Sequence, residues 1–166
     1  MVPIGVTRPA LGKSPRGAFD GVMAIIDSKT WMEHVSLPEC WQLLGSTPVG
    51  RIGVLVDSAP EIYPVNHVVD GQTIVFRTER GEKLRGLDRS PSVCFEVDEY
   101  DAATSTGWSV LVKGRAREVT AVDEERRLLG LDLRYWSVGP KPRWVRIEPS
   151  EVTGRRILRP GGRGPS

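Results

Sequence analysis

The sequence predicts a mainly β domain, a small barrel of six antiparallel strands with few short helices, and three observations carry that expectation. Between Val49 and Val119 apolar residues recur at every second position in five separate runs. Turn signals bound those runs, above all Asp70-Gly71 between two β-branched stretches. The 18 Gly and 13 Pro leave many turns, while 39% hydrophobic residues in 166 are enough for one core.

Residues 1–30 mix Gly, Pro and Ser and are expected to form a flexible arm with one short docked piece at 22–26; the domain spans 31–158, and 159–166 form a disordered tail. Ser36 and Glu39, with Pro38 between them, spell a capping box, and Gly45 closes the helix that follows. Strands are then expected over 49–56, 62–69, 73–78, 93–97 and 108–119, with Ser58-Ala59-Pro60 as a second tight reversal. In the long strand Val110, Val112, Gly114 and Ala116 share one face, and Lys113, Arg115 and Arg117 the other. Short helices are expected over 81–88 and 123–133, the second capped by Thr120. A sixth strand runs from Trp144 to Glu148 and onward towards Ile157.

Elimination narrows the chemistry. His34 and His67 are the only histidines and no Cys-x-x-Cys or His-Glu-x-x-His occurs, so no metal site is expected. Cys40 and Cys94 read as buried thiols. There is no Gly-x-Ser-x-Gly elbow, no phosphate-binding Gly-x-x-x-x-Gly-Lys and no dinucleotide-binding glycine motif. No apolar run approaches a membrane span of roughly 18 residues, and no secretory leader is evident, so a cytoplasmic protein without a membrane partner is expected. The net charge of +2 hides a split: residues 31–133 carry 11 basic and 17 acidic side chains, residues 134–166 carry 8 and 2. The tail with Arg155, Arg156, Arg159 and Arg163 lacks aromatics for base stacking, so no nucleic-acid partner is expected.

What remains is a polar cluster. Pro64 inside 62–69 removes one ladder donor and implies an edge or bulge where backbone groups meet a ligand; an ordinary edge strand is the competing reading. Further on, Arg77 and Thr78 end a strand, Gly81 turns, and a helix opens with Lys83. A helix N-terminus, a hydroxyl and two cations suit a phosphate, although basic residues at strand ends are more often simply solvated.

At these residues a resemblance emerges. Val49-Gly50-Arg51-Ile52-Gly53, the run from Pro64 to Gly71, Phe76-Arg77-Thr78 with Gly81 and Lys83-Leu84, the run from Val93 to Asp98, and Gly107-Trp108-Ser109-Val110 together resemble the pyridoxamine 5'-phosphate oxidase-like flavin-binding proteins, in particular a branch abundant in actinobacteria. The resemblance covers about residues 39–150 and implies a Greek-key split β-barrel of six strands, a homodimer with flavin mononucleotide (FMN) in two equivalent interface grooves. By position it implies that Pro64, Val65, Asn66 and His67 run along the isoalloxazine and that Arg77, Thr78 and Lys83 lie at the ribityl phosphate, with Leu84 a further cofactor-binding residue and Arg51 a further candidate at the phosphate. Trp108 and Ser109 would approach from the partner subunit, as would Trp144 and Arg146. Trp108 and Trp144 read equally as interface aromatics, Arg51 as a solvent-facing strand charge, and strand alternation equally permits His67 to point away from flavin.

The implied activity is an FMN-dependent oxidoreductase moving hydride between flavin and an unidentified small molecule, with no catalytic residue assigned, because the ring carries the chemistry. A deazaflavin-dependent reductase and a non-catalytic flavin-binding or sequestering protein are the alternatives. True pyridoxamine phosphate oxidases carry Arg-x-His-Asp-Arg near the C-terminus, where this chain has Pro140-Lys141-Pro142-Arg143-Trp144, so vitamin B6 oxidation is not expected. A sole interior histidine argues against haem.

Overall fold

The computed structural model describes residues 26–27, 32–79, 81, 86–87, 89–133 and 141–158. In chain order these form β1 (Ile26–Asp27), β2 (Met32–Val35), α1 (Leu37–Ser46), β3 (Val49–Val56), β4 (Ala59–Asp70), β5 (Thr73–Thr78), β6 (Ser92–Asp101), β7 (Thr106–Glu118), α2 (Val122–Leu128) and β8 (Arg143–Ile157). The arm before Ile26, most of the expected 81–88 helix with Lys83 and Leu84, and the tail from 159 lie outside the described residues.

Six strands close into the expected ring, in the order β8-β5-β4-β3-β6-β7 with β7 returning to β8, every pair antiparallel. Strands β3, β4 and β5 form a meander and β6 returns beside β3, a Greek key. Closure rests on β8, 15 residues long, which pairs with β5 through its first part and with β7 over nearly all of its length. Its last residues also pair with β2, which pairs in turn with β1, two short strands that the sequence did not announce.

Alternation decides what enters the barrel. Ile52, Ile74, Phe76, Phe95, Val110 and Val112 point inward, fully buried, and Cys40 and Leu44 of α1 join the same cluster. Phe95 lies across Gly50, where a Cβ would strike its ring. The expectation for Cys94 is corrected: it sits on the outer face of β6 opposite Lys113 and is exposed, because Val93 and Phe95 take the inward positions; Cys40 is buried as expected.

Local signals held less well at helix ends. Ser36 is the N-cap of α1 but its hydroxyl makes no cap bond; its carbonyl accepts from the Cys40 N–H at 2.8 Å, and Pro38 has already removed one donor that a cap would satisfy. Ala121, not Thr120, is the N-cap of α2, and the helix stops at Leu128. The reversal before β4 falls at Asp57-Ser58, both with positive φ, as a two-residue hairpin turn demands.

A second, smaller cluster lies outside the barrel, where Leu128 of α2 and Leu133 cover Val75, Val119 and Trp144. An ion-pair clasp pins α2 there. Arg146 on β8, its side chain 7% exposed, donates from Nε to Glu124 at 2.7 Å and pairs with Asp70 at 2.8 Å. Arg127, one turn after Glu124, donates from two nitrogens to Asp70 at 2.7 and 2.8 Å. Arg117 on β7 donates to both oxygens of Glu124 and to Glu148. Hydrogen bonds from Arg127 and Arg146 hold Asp70 well below the usual carboxylate range, and those from Arg117 and Arg146 lower Glu124 likewise.

Two outcomes are expected. Gly50→Ala lowers unfolding free energy by about 1–3 kcal/mol, the usual cost of overpacking a filled core; an unchanged urea midpoint contradicts the packing of Phe95. Because the carboxylate pKa values are depressed on folding, their stabilisation is present above the unfolded value of about 4 and is lost as pH falls below it. Tm therefore drops on acidification from about pH 5 towards pH 2, and Asp70→Asn shows a shallower drop; parallel curves contradict the clasp.

Candidate functional site

The barrel interior is closed to ligands by its own side chains, so the predicted site residues are sorted by which face they occupy. Val65 points inward and is buried, leaving only its backbone for a ligand. His67 also points inward, 5% exposed, its ring edge-on to Phe95 at 4.8 Å. Its Nε2–H donates to the Leu44 carbonyl at 2.8 Å, tying β4 to the end of α1, and burial pushes its pKa down, so it is a neutral core histidine. It lines a cavity of about 440 Å³ beside the end of α1, together with Thr47 and Asp132.

On the outer face, Asn66 donates from Nδ2 to the Pro48 carbonyl at 3.3 Å, and Pro64 stands opposite Arg51. The His67 N–H points to the β3 side, where it bonds Pro48; by alternation the Pro64 nitrogen faces the β5 side. There the β4–β5 pairing has already ended at His67 and Phe76, so the missing donor interrupts no ladder. The sheet is split along this line.

Beyond the split, β5 ends in Arg77 and Thr78. Arg77 faces Trp144 across the β5–β8 ladder, its guanidinium carbon 5.1 Å from the indole centre, and Trp144 is itself buried in the outer cluster. Thr78 is buried, with its hydroxyl 3.3 Å from the Glu79 carbonyl. A planar cation laid on an aromatic face at a strand end suits an anion such as a phosphate, while Thr78, on the face of β5 shared by Ile74 and Phe76, turns the other way.

The structure separates other candidates from this seat. Arg51 is 53% exposed but sits between Asp98 at 2.5 Å and Glu96 at 3.2 Å. A dianion approaching Arg51 meets the carboxyl groups that already pair with it, which argues against its phosphate role. Arg146 shares the outer face with Trp144, but its guanidinium is occupied by Asp70, Glu124 and Thr73. Trp144 packs within its own chain. Trp108 leans on the core, paired with Glu99 and Arg156, and Ser109 faces Asp98 and Arg155. Arg155 and Arg156 themselves lie in β8 rather than in a basic tail, and Arg156 donates to Glu39 at 2.6 Å.

Within one chain Trp108 and Ser109 cannot reach the Arg77 seat. Trp108 lies ten residues along β7 from Glu118, the partner of Val145; at about 3.3 Å per residue that is roughly 33 Å. Arg51 read equally as a solvent-facing strand charge, yet nothing in the spacing of Arg51, Glu96 and Asp98 announced that β3 would pair with β6 and set the arginine against two carboxylates. Glu124 and Asp70 were missed as well: Glu124 was not singled out, and Asp70 was read only as a turn residue. Among the described residues no helix is long and apolar enough to cross a membrane.

Comparison with known proteins places the fold. The family profile described as pyridoxamine 5'-phosphate oxidase matches residues 36–156. An uncharacterized Mycobacterium tuberculosis protein, Rv0080, is 36% identical over 125 residues, 72% of this chain and 82% of its own. The solved structure of the FAD binding protein from Mycobacterium smegmatis is 38% identical with a TM-score of 0.64, over 75% of this chain and 97% of that one. A FAD-binding protein from Mesorhizobium loti, 23% identical, shares the fold with a TM-score of 0.66 over 76% and 99%. With the Greek-key split barrel established independently, the match places this chain in the pyridoxamine 5'-phosphate oxidase-like family.

Proposed function

We propose that the protein binds a flavin nucleotide, FMN in its simplest form, on the outer face of the barrel in a groove completed by a second copy of the chain. The observation that carries this reading is Arg77 laid over the buried Trp144 at the end of β5, a cationic strand end suited to a phosphate. Lys83 joins that seat by resemblance, with Leu84 a further cofactor-binding residue. The Mycobacterium smegmatis relative, named for FAD, supports a flavin and leaves the nucleotide beyond the first phosphate to experiment. A deazaflavin coenzyme makes similar demands on the seat.

The second copy is supported by separation and by surface. Trp108 and Ser109 meet the seat only from another subunit, given their distance along β7. Ile62, 71% exposed, stands on the outer face two residues before Pro64, in an apolar groove of about 660 Å³ that Leu55, Cys94 and Leu111 help to line.

A bound flavin supplies hydride chemistry, and we assign turnover with a small-molecule substrate to the ring. The chain's part is to hold it: Arg77 fixes the phosphate, and the backbone of Val65 and Asn66 borders the ring. His67, neutral and turned into the core, is given no proton to deliver.

Purified protein is expected to be yellow and to release flavin on denaturation, with turnover by a reduced nicotinamide donor and an electron acceptor. Lys83→Ala weakens binding by more than about 1 kcal/mol, the lower range for a charged hydrogen bond, whereas Arg51→Ala leaves affinity unchanged. A colourless protein that takes up neither flavin nor deazaflavin at micromolar concentration overturns the reading. A yellow protein that turns over no substrate leaves a flavin-sequestering protein instead.

A further inference from the structure

Trp144 supports Arg77, whose guanidinium carbon lies 5.1 Å from the indole centre. Trp144 is packed by Val75, Val119, Leu128 and Leu133. Leu128 comes from α2, whose seven residues bury no other side chain and are too few to be stable alone. What keeps α2 on the barrel is the clasp: Glu124 accepting from Arg146 and Arg117, and Arg127 donating to Asp70. Arg146 stands two residues from Trp144 on the same face of β8, beside Val75, so the ionic and apolar parts of this patch are one packed unit.

We propose that Glu124 is a positioning residue for the phosphate seat, acting through α2 and Trp144 on Arg77 without touching the ligand; this rests on the reading of Arg77 given above. Removing the Glu124 charge leaves the nearly buried Arg146 cation with Asp70 as its one carboxylate among the described residues and deprives Arg117 of its bidentate partner. The helix lifts, Leu128 withdraws from Trp144, and Arg77 loses the surface that orients it. The ring portion of the ligand is assigned to residues 64–67 of β4, short of Asp70 where α2 is tied.

The effect is therefore selective for the phosphate. Full-length protein stripped of ligand is titrated with FMN and with riboflavin, which lacks the phosphate, following flavin fluorescence. Glu124→Gln is expected to weaken FMN binding by about tenfold, within the range for coupling through packed side chains, while riboflavin affinity stays within about twofold. Leu128→Ala, which thins the cover of Trp144 without changing any charge, is expected to give the same selective loss and serves should Glu124→Gln fail to fold. Equal loss for both ligands, no loss for either, or tighter FMN binding by a released Arg146 overturns the proposal. Should the unaltered protein bind FMN and riboflavin equally, the phosphate seat itself fails; should it prefer FMN while both variants keep that preference, only the role of Glu124 fails.

Discussion

Closure of the sheet by β8 is the constraint on which the rest depends. One strand of 15 residues must satisfy β5 through its first part, β7 along nearly its whole length and β2 at its end. The ring it closes is filled by two phenylalanines and a set of branched aliphatic side chains with essentially no exposure. A tricyclic ligand has no room inside such a barrel, so the proposed site lies on the outer face. There the strands offer a broad surface rather than an enclosed pocket, which is why the proposed site calls on a second subunit.

Charge on that outer face is distributed by pairing, and the pairing separates arginines that look alike in sequence. Arg51 is flanked by two carboxylates, Arg146 and Arg117 are built into the clasp, and Arg156 is bonded to Glu39. Arg77 lies over the indole of Trp144 at the end of β5. An arginine between carboxylates presents little net positive potential to a phosphate, whereas stacking on an indole orients a guanidinium without neutralising it. The clasp also joins β4, β7, β8 and α2, so the seat and the smaller outer cluster share one foundation.

The strands were legible because period-two alternation is a local property: each of the six expected runs lies on a strand of the ring, and Asp70-Gly71 marked its hairpin. Faces were legible where apolar residues alternated without interruption, as in β7, and ambiguous where both neighbours of a residue were apolar, as with Cys94. Helix ends were harder, since Ser36 and Thr120 carry the right side chains while backbone geometry and Pro38 decide whether a cap bond forms. The site was legible in its residue types and much less in its arrangement. Whether Arg51 is opposed, whether Arg146 is buried and how far Trp108 lies from Trp144 all depend on registers between strands distant in sequence, which no local window contains.

The central claim is that two copies of this barrel together hold a phosphorylated ring system between their outer faces. Native mass spectrometry of the purified chain addresses it most directly. The account predicts a dimer carrying two equivalents of one flavin or deazaflavin mass, released together with dissociation of the subunits. A monomer that retains the cofactor, or a dimer that carries none after incubation with excess flavin or deazaflavin, contradicts it.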